Sequence, residues 1–327
     1  MRRFKIFWIL LVFILFILPK QGFSETSLEK EWWYEKLKGL SIEEKLKNGF
    51  PDFDYIRALV EFKEKYIVKD KNIKRQIFEK VRYKVLNKIK KLSARYPENK
   101  FFKDPYTYCL ESGTCGTSSY ILLKINKNYY LADYDLAGGW EYAYYIYDIN
   151  NDQLLYWIGD KYYGNEDENL KFILKIISLL VNPDISCPLE LKRYCGTDEK
   201  VRSTENMFRI LNNKNDPFTR CYFSLIDSLP KSVDTLWIRK KYIVACPPTI
   251  IKIGNKIFIG WGVCKIHACN LRGYSILYEI NSQTCYGKLT VNKEGSKVGE
   301  IIESKNYWLG NVDNNTKLLF KFIWGDE

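Results

Sequence analysis

Connections too short for a crossover constrain this chain most. Residues 120–125, 129–134 and 142–149 are runs dense in Tyr, Ile and Leu, with Asn126-Lys127-Asn128 as the turn after the first and Asn150-Asn151-Asp152 after the third. Parallel neighbours need a connection of a dozen or more residues, so runs joined by such turns fold as antiparallel meanders. Strand-like runs return at 250–253, 256–263, 274–280, 284–291 and 317–324. The two series align. Leu123-Lys124-Ile125 matches Ile251-Lys252-Ile253, Tyr129-Tyr130-Leu131 matches Ile257-Phe258-Ile259, and Tyr147-Asp148-Ile149-Asn150 matches Tyr278-Glu279-Ile280-Asn281. The offset grows from 128 to 131 between the blocks, so the second series carries three extra residues, in a connection holding Cys264 to Cys269. This correspondence predicts a degenerate tandem repeat.

Helical periodicity occupies other parts of the chain. Ile73, Ile77, Val81, Val85, Ile89 and Leu92 recur at three- and four-residue steps between Lys and Arg, which predicts an amphipathic helix ending before Pro97. A second helix is expected over about 168–180, with Leu170, Ile173, Ile176, Ile177 and Leu180 on one side and a stop at Asn182-Pro183. The fold class is therefore α+β: a helical region at 25–100, then two antiparallel-sheet units flanked by helices at 101–185 and 186–327.

Residues 1–24 read as a secretory signal peptide. Arg2, Arg3 and Lys5 precede an apolar run of 13 residues from Ile6 to Leu18, and Gly22 and Ser24 stand before a cut at Glu25. The run is short of the roughly 20 residues that span a bilayer, so membrane contact is expected only if the leader stays attached. The expected location is periplasmic or secreted. All nine cysteines lie between Cys109 and Cys285, which in an exported chain reads as a disulfide framework with at least one thiol left over. The pairs nearest in sequence are Cys109 with Cys115, Cys187 with Cys195 and Cys264 with Cys269; spacing alone leaves the connectivity open. Loss of Arg2, Arg3, Lys5 and Lys20 with the leader takes the net charge from +12 to +8. Outside the cytosol such a charge points away from nucleic acid and towards acidic proteins, polysaccharides or lipid headgroups.

The chemistry concentrates in Cys264-Lys265-Ile266-His267-Ala268-Cys269, between two predicted strands. A bridge from Cys264 to Cys269 would force the intervening residues into a protruding ring that presents His267, the single histidine of the chain, at reduced entropic cost. Here the sequence resembles the inhibitor of vertebrate lysozyme family, whose members carry a disulfide-closed Cys-Lys-Pro-His-Asp-Cys loop. The resemblance covers residues 218–324. It includes residues 225–237 as helix and Leu-Pro turn, Val244-Ala245 with Pro247 and Pro248, and in the loop Cys264, Lys265, His267 and Cys269. Ile266 stands where the family has Pro, and Ala268 where it has Asp.

The resemblance implies a periplasmic protein whose loop enters the active-site cleft of a lysozyme. Glycosidase clefts hold two carboxyl groups flanking the scissile bond, one protonated and one ionised. An imidazole between them can bond to both, and Lys265 would steer the encounter from the rim. Because vertebrate lysozymes are themselves basic, a peptidoglycan-cleaving enzyme with an acidic face, such as a lytic transglycosylase, is the alternative target. No cofactor is expected. Nor is catalysis: a Cys-His hydrolase needs a free thiolate with an oriented imidazole, and a zinc site at Cys264, His267 and Cys269 lacks a further cysteine pair. The corresponding connection of the first unit, with Asp133, Asp135, Trp140 and Glu141, has neither cysteine nor histidine. The other functional reading is a cell-envelope binding or scaffold module that keeps the fold without inhibiting.

Overall fold

The structure is a computed structural model that describes residues 27–98, 120–137, 141–195, 200–296 and 300–325. The expected leader, and Cys109 with Cys115, lie outside the described residues.

Among the described residues a 3₁₀ turn at Ser27–Lys30 leads into four α-helices: α1 (Tyr34–Gly39), α2 (Ile42–Asn48), α3 (Phe53–Tyr66) and α4 (Lys71–Arg95). Ser41, Asp52 and Asp70 cap α2, α3 and α4 by accepting hydrogen bonds from first-turn N–H groups that have no partner inside the helix. The expected stripe on α4 buries Val81, Val85 and Ile89, together with Phe78 and Leu86. Ile73, at its start, is exposed.

Sheet 1 is a five-stranded antiparallel meander: β1 (Tyr120–Ile125), β2 (Asn128–Ala137), β3 (Glu141–Asp148), β4 (Gln153–Ile158) and β5 (Lys161–Gly164), paired in that order. Helix α5 (Glu168–Val181) follows it. After α6 (Lys200–Asn212), α7 (Pro217–Asp227) and the short α8 (Leu236–Arg239) come β6 (Ile243–Ala245), β7 (Thr249–Ile253), β8 (Lys256–Lys265), β9 (Arg272–Glu279), β10 (Thr284–Glu294) and β11 (Ile301–Leu309). Strands β7 to β11 repeat the meander, with β6 beside the distal half of β8.

The correspondence between the sheets extends to their turns. Residues 126–127 join β1 to β2 and 254–255 join β7 to β8, with φ of 56° at Asn126 and 58° at Gly254. Four residues join β3 to β4 and β9 to β10, ending in Asp152 (φ 55°) and Gln283 (φ 52°). Each sheet then ends in a glycine with positive φ, Gly164 or Gly310. A Cβ at Gly164 would collide with the Leu154 carbonyl, and one at Gly310 would stand 2.7 Å from the Cys285 carbonyl oxygen. Three residues further on, Asp167 and Asp313 cap the next helix.

That second helix, α9 (Asn314–Trp324), corrects the expectation of a strand at 317–324. Asp313 accepts from the Thr316 N–H, and Thr316, Leu319 and Phe320 recur at three- and four-residue steps on the buried side. A short apolar run does not declare its period, and the cap together with the sheet face beneath it decides for helix.

Each sheet is covered on both faces. Phe78, Val81 and Val85 of α4 lie against Tyr120, Leu131, Tyr145 and Tyr156 on one face of sheet 1. Phe218 and Tyr222 of α7 lie against Trp261, Tyr274 and Tyr278 on one face of sheet 2. The opposite faces meet in a shared core, where Ile173 and Ile177 of α5, Leu319 and Phe320 of α9, and Ile56, Leu59 and Phe62 of α3 pack with Leu123, Ile146, Ile251 and Leu277. Helix α3 spans the outer edges of the two sheets. Before it, Phe50 N–H donates to the Lys252 carbonyl at 2.8 Å; after it, Val68 N–H donates to the Leu122 carbonyl at 2.8 Å. The helical region and both sheet units thus share one core. None of the described helices is long and apolar enough to cross a membrane.

Disulfides join Cys187 to Cys195, Cys221 of α7 to Cys285 of β10, and Cys264 to Cys269. Cys221 and Cys285, unassigned by sequence proximity, are thus partners 64 residues apart. Cys246 is the free, exposed cysteine among the described residues.

Candidate functional site

The loop 266–271 is held at its base by three strands. On one side β8 pairs with β9 as far as Cys264 with Gly273. On the other it pairs with β6, with Ile243 opposite Lys265 and Val244 opposite Cys264. One more ladder bond runs beyond β8, from Ile266 N–H to the Tyr242 carbonyl at 3.2 Å. Inside the ring, Ala268 N–H donates to the Lys265 carbonyl (3.0 Å), while Leu271 and Arg272 N–H both donate to the Ala268 carbonyl (2.9 Å each).

Asn292 of β10 braces the far side of the loop. Its backbone N–H donates to the Leu271 carbonyl at 2.8 Å, and its side-chain amide donates to the Asn270 carbonyl at 2.7 Å. The Arg272 guanidinium closes this corner by donating to the Leu271 and Asn292 carbonyls at 3.0 and 2.9 Å.

His267 sits at the crest of the ring with φ of 61°, in the left-handed region. A non-glycine residue there carries a cost of about 1 kcal/mol or more, and it persists where the surroundings over-determine it. The disulfide and the ring hydrogen bonds supply that constraint. His267 is exposed, and among the described residues none hydrogen-bonds its imidazole.

A feature that sequence reasoning missed lies beside the loop. Tyr242, Val244 and Ile266 are 58%, 51% and 38% exposed. Pairing of Val244 with Cys264, and of Ile266 with Tyr242, sets them on one face of the sheet with the disulfide. The opposite face turns Ile243 and Val263 into the core. An apolar shelf therefore flanks His267, and Ile266 is part of it. The run Tyr242-Ile243-Val244, dense in strand formers, was a usable signal, but only the pairing of β6 with β8 puts it next to the loop.

The segment that carries the site has one sign of charge, while Glu294 of β10 and Glu303 of β11 stand on the neighbouring strands beyond Asn292. From Arg239 to Tyr278 the chain has seven Lys and Arg and no Asp or Glu. Of these, Lys265 and Arg272 border the loop and Arg239 to Lys241 lead into β6. In the first unit, Asp133 is buried, and the side chains of Asp135, Trp140 and Glu141 lie outside the described residues. Among the described residues, no three His, Cys, Asp or Glu side chains gather as a metal site. No family model matches the chain, and no curated protein matches it.

Proposed function

We propose that this protein is an exported inhibitor that inserts the Cys264–Cys269 loop into the cleft of a peptidoglycan-cleaving glycosidase, as its resemblance to the inhibitor of vertebrate lysozyme family implies. The observation that carries the reading is the exposed His267, raised in a left-handed conformation on a disulfide-closed ring and anchored by three strands. A ring already closed in the free protein loses little further entropy on binding. The imidazole would bond between the two cleft carboxyl groups, blocking substrate and engaging acid and base together. Tyr242, Val244 and Ile266 would cover the cleft rim, and Lys265 with Arg272 would steer an acidic partner. A surface of this charge suits a target with an acidic face better than a basic vertebrate lysozyme.

The test is inhibition of a panel of lysozymes and lytic transglycosylases by the purified chain without residues 1–24. His267→Ala is expected to weaken inhibition about 30- to 1000-fold, the equivalent of about 2–4 kcal/mol, with unchanged melting. Ala268→Asp, which restores the family's carboxylate, is expected to strengthen it. Inhibition unchanged in His267→Ala would overturn the loop mechanism, and a wild type that inhibits no enzyme of the panel would overturn the inhibitor reading.

A further inference from the structure

The two meanders differ most at their last strands. In sheet 1, Gly159 and Asp160 form the turn and β5 has 4 residues; in sheet 2, β10 and β11 run to 11 and 9 residues. The added length leaves the body of the domain. Residues 301–306 of β11 are all exposed, with Ile301 46% and Ile302 58% accessible, whereas Leu309 at the other end is buried. The first unit completes its sheet without this extension, and although Asn292 on the inner strand of the extension braces the loop, residues 301–306 of β11 bury nothing against the rest of the domain.

Strand β11 is also the outer strand of its sheet, and among the described residues no strand pairs with its other edge. Such an edge offers a row of backbone donors and acceptors to another strand. Its sequence is Ile301-Ile302-Glu303-Ser304-Lys305-Asn306-Tyr307-Trp308-Leu309. Laid antiparallel against a second copy with Ser304 opposite Ser304, Glu303 faces Lys305 twice and Ile301 faces Tyr307 twice. Centring the pair on Glu303 or Lys305 instead sets like charges opposite each other. A two-fold axis perpendicular to the sheet keeps every residue on its own face, so the centred register satisfies both copies at once.

We propose that β11 is a self-association strand: two copies of this protein join their second sheets edge to edge through antiparallel β11 pairing centred on Ser304. An interface built on one strand is smaller than the ~1,200 Å² of a stable complex, so the dimer forms at high protein concentration.

The experiment is sedimentation equilibrium of the chain without residues 1–24, from micromolar to about millimolar concentration. Wild type is expected to show a monomer–dimer equilibrium. Glu303→Lys and Lys305→Glu are each expected to weaken it about ten-fold, because both symmetry-related pairs become like-charged. Mixing the two single variants sets opposite charges across the strand again and is expected to restore dimerisation, as is the double exchange Glu303→Lys with Lys305→Glu. Lys305 stands opposite Val291 within its own copy, so Lys305→Glu is expected to melt as wild type does, whereas Glu303 stands opposite Lys293 and Glu303→Lys is expected to melt slightly lower while circular dichroism stays unchanged in every variant. A wild type that remains monomeric throughout, or single variants that associate as well as wild type, would overturn the proposal. Failure of both the mixture and the double exchange to restore association would overturn the Ser304-centred register.

Discussion

Removing the disulfides one at a time separates stability from function. Cys264 and Cys269 are 5 residues apart in sequence, and Cys221 and Cys285 are 64 apart. If a disulfide acts mainly by removing loop entropy from the unfolded chain, the first is worth about 2 kcal/mol and the second about 4 kcal/mol at 25 °C. The structure adds direction to these magnitudes. Cys221–Cys285 ties α7 to β10 beside the Phe218–Tyr222–Tyr274 aromatic cluster, so its loss loosens the core of the second unit. Cys264–Cys269 touches no core; it holds the ring in which His267 keeps its left-handed backbone. In a Cys246→Ser background, which removes the thiol that is free among the described residues, each pair in turn is replaced by serine. Scanning calorimetry is expected to place the Cys221/Cys285 variant several degrees below the Cys264/Cys269 variant, while glycosidase inhibition is expected to fall in the opposite order. A Cys264/Cys269 variant that melts lower than the other, or one that inhibits as strongly as wild type, would refute the division of labour.

The remaining predictions concern the fold. Gly164→Ala and Gly310→Ala each put a Cβ against a carbonyl at a positive φ, and each is expected to cost about 2 kcal/mol or more in denaturant melts; a cost near zero would mean that the ends of the meanders are not held as described. Lys45 of α2 is buried where its Nζ donates to the Asn182 and Asp184 carbonyls at 2.6 Å, and burial lowers its pKa to about 8 against the partial opposition of Asp184. Between pH 8 and its ordinary value the unfolded chain binds the proton that the folded chain has released, so stability rises with pH across that window, by up to about 2 kcal/mol over the first one and a half units. Melts in matched buffers are expected to show this rise in wild type and its loss in Lys45→Met; a wild type that falls relative to the variant would contradict it.

What the chain declares by itself is local. The turn at 126–127, with its partner at 254–255, commits the strands to antiparallel neighbours, and the 3.6-residue stripe of Val81, Val85 and Ile89 commits α4 to a helix with one buried face. The loop at 264–269 was legible too, because its cysteines lie close together and stand between strand runs. Other features depend on groups far apart in sequence. Residues 317–324 have a composition that suits a strand, and they become α9 because Asp313 caps them and the face of sheet 2 that turns towards α3 receives Leu319 and Phe320. Cys221 finds Cys285 only once α7 crosses β10. Tyr242 and Val244 become part of the candidate site only when β6 pairs with the end of β8. The physical reason is the same each time. Caps, turns and periodicity are set by neighbours a few residues away, whereas which apolar face is buried, and which is left to meet a partner, is settled when distant segments compete for the same sheet.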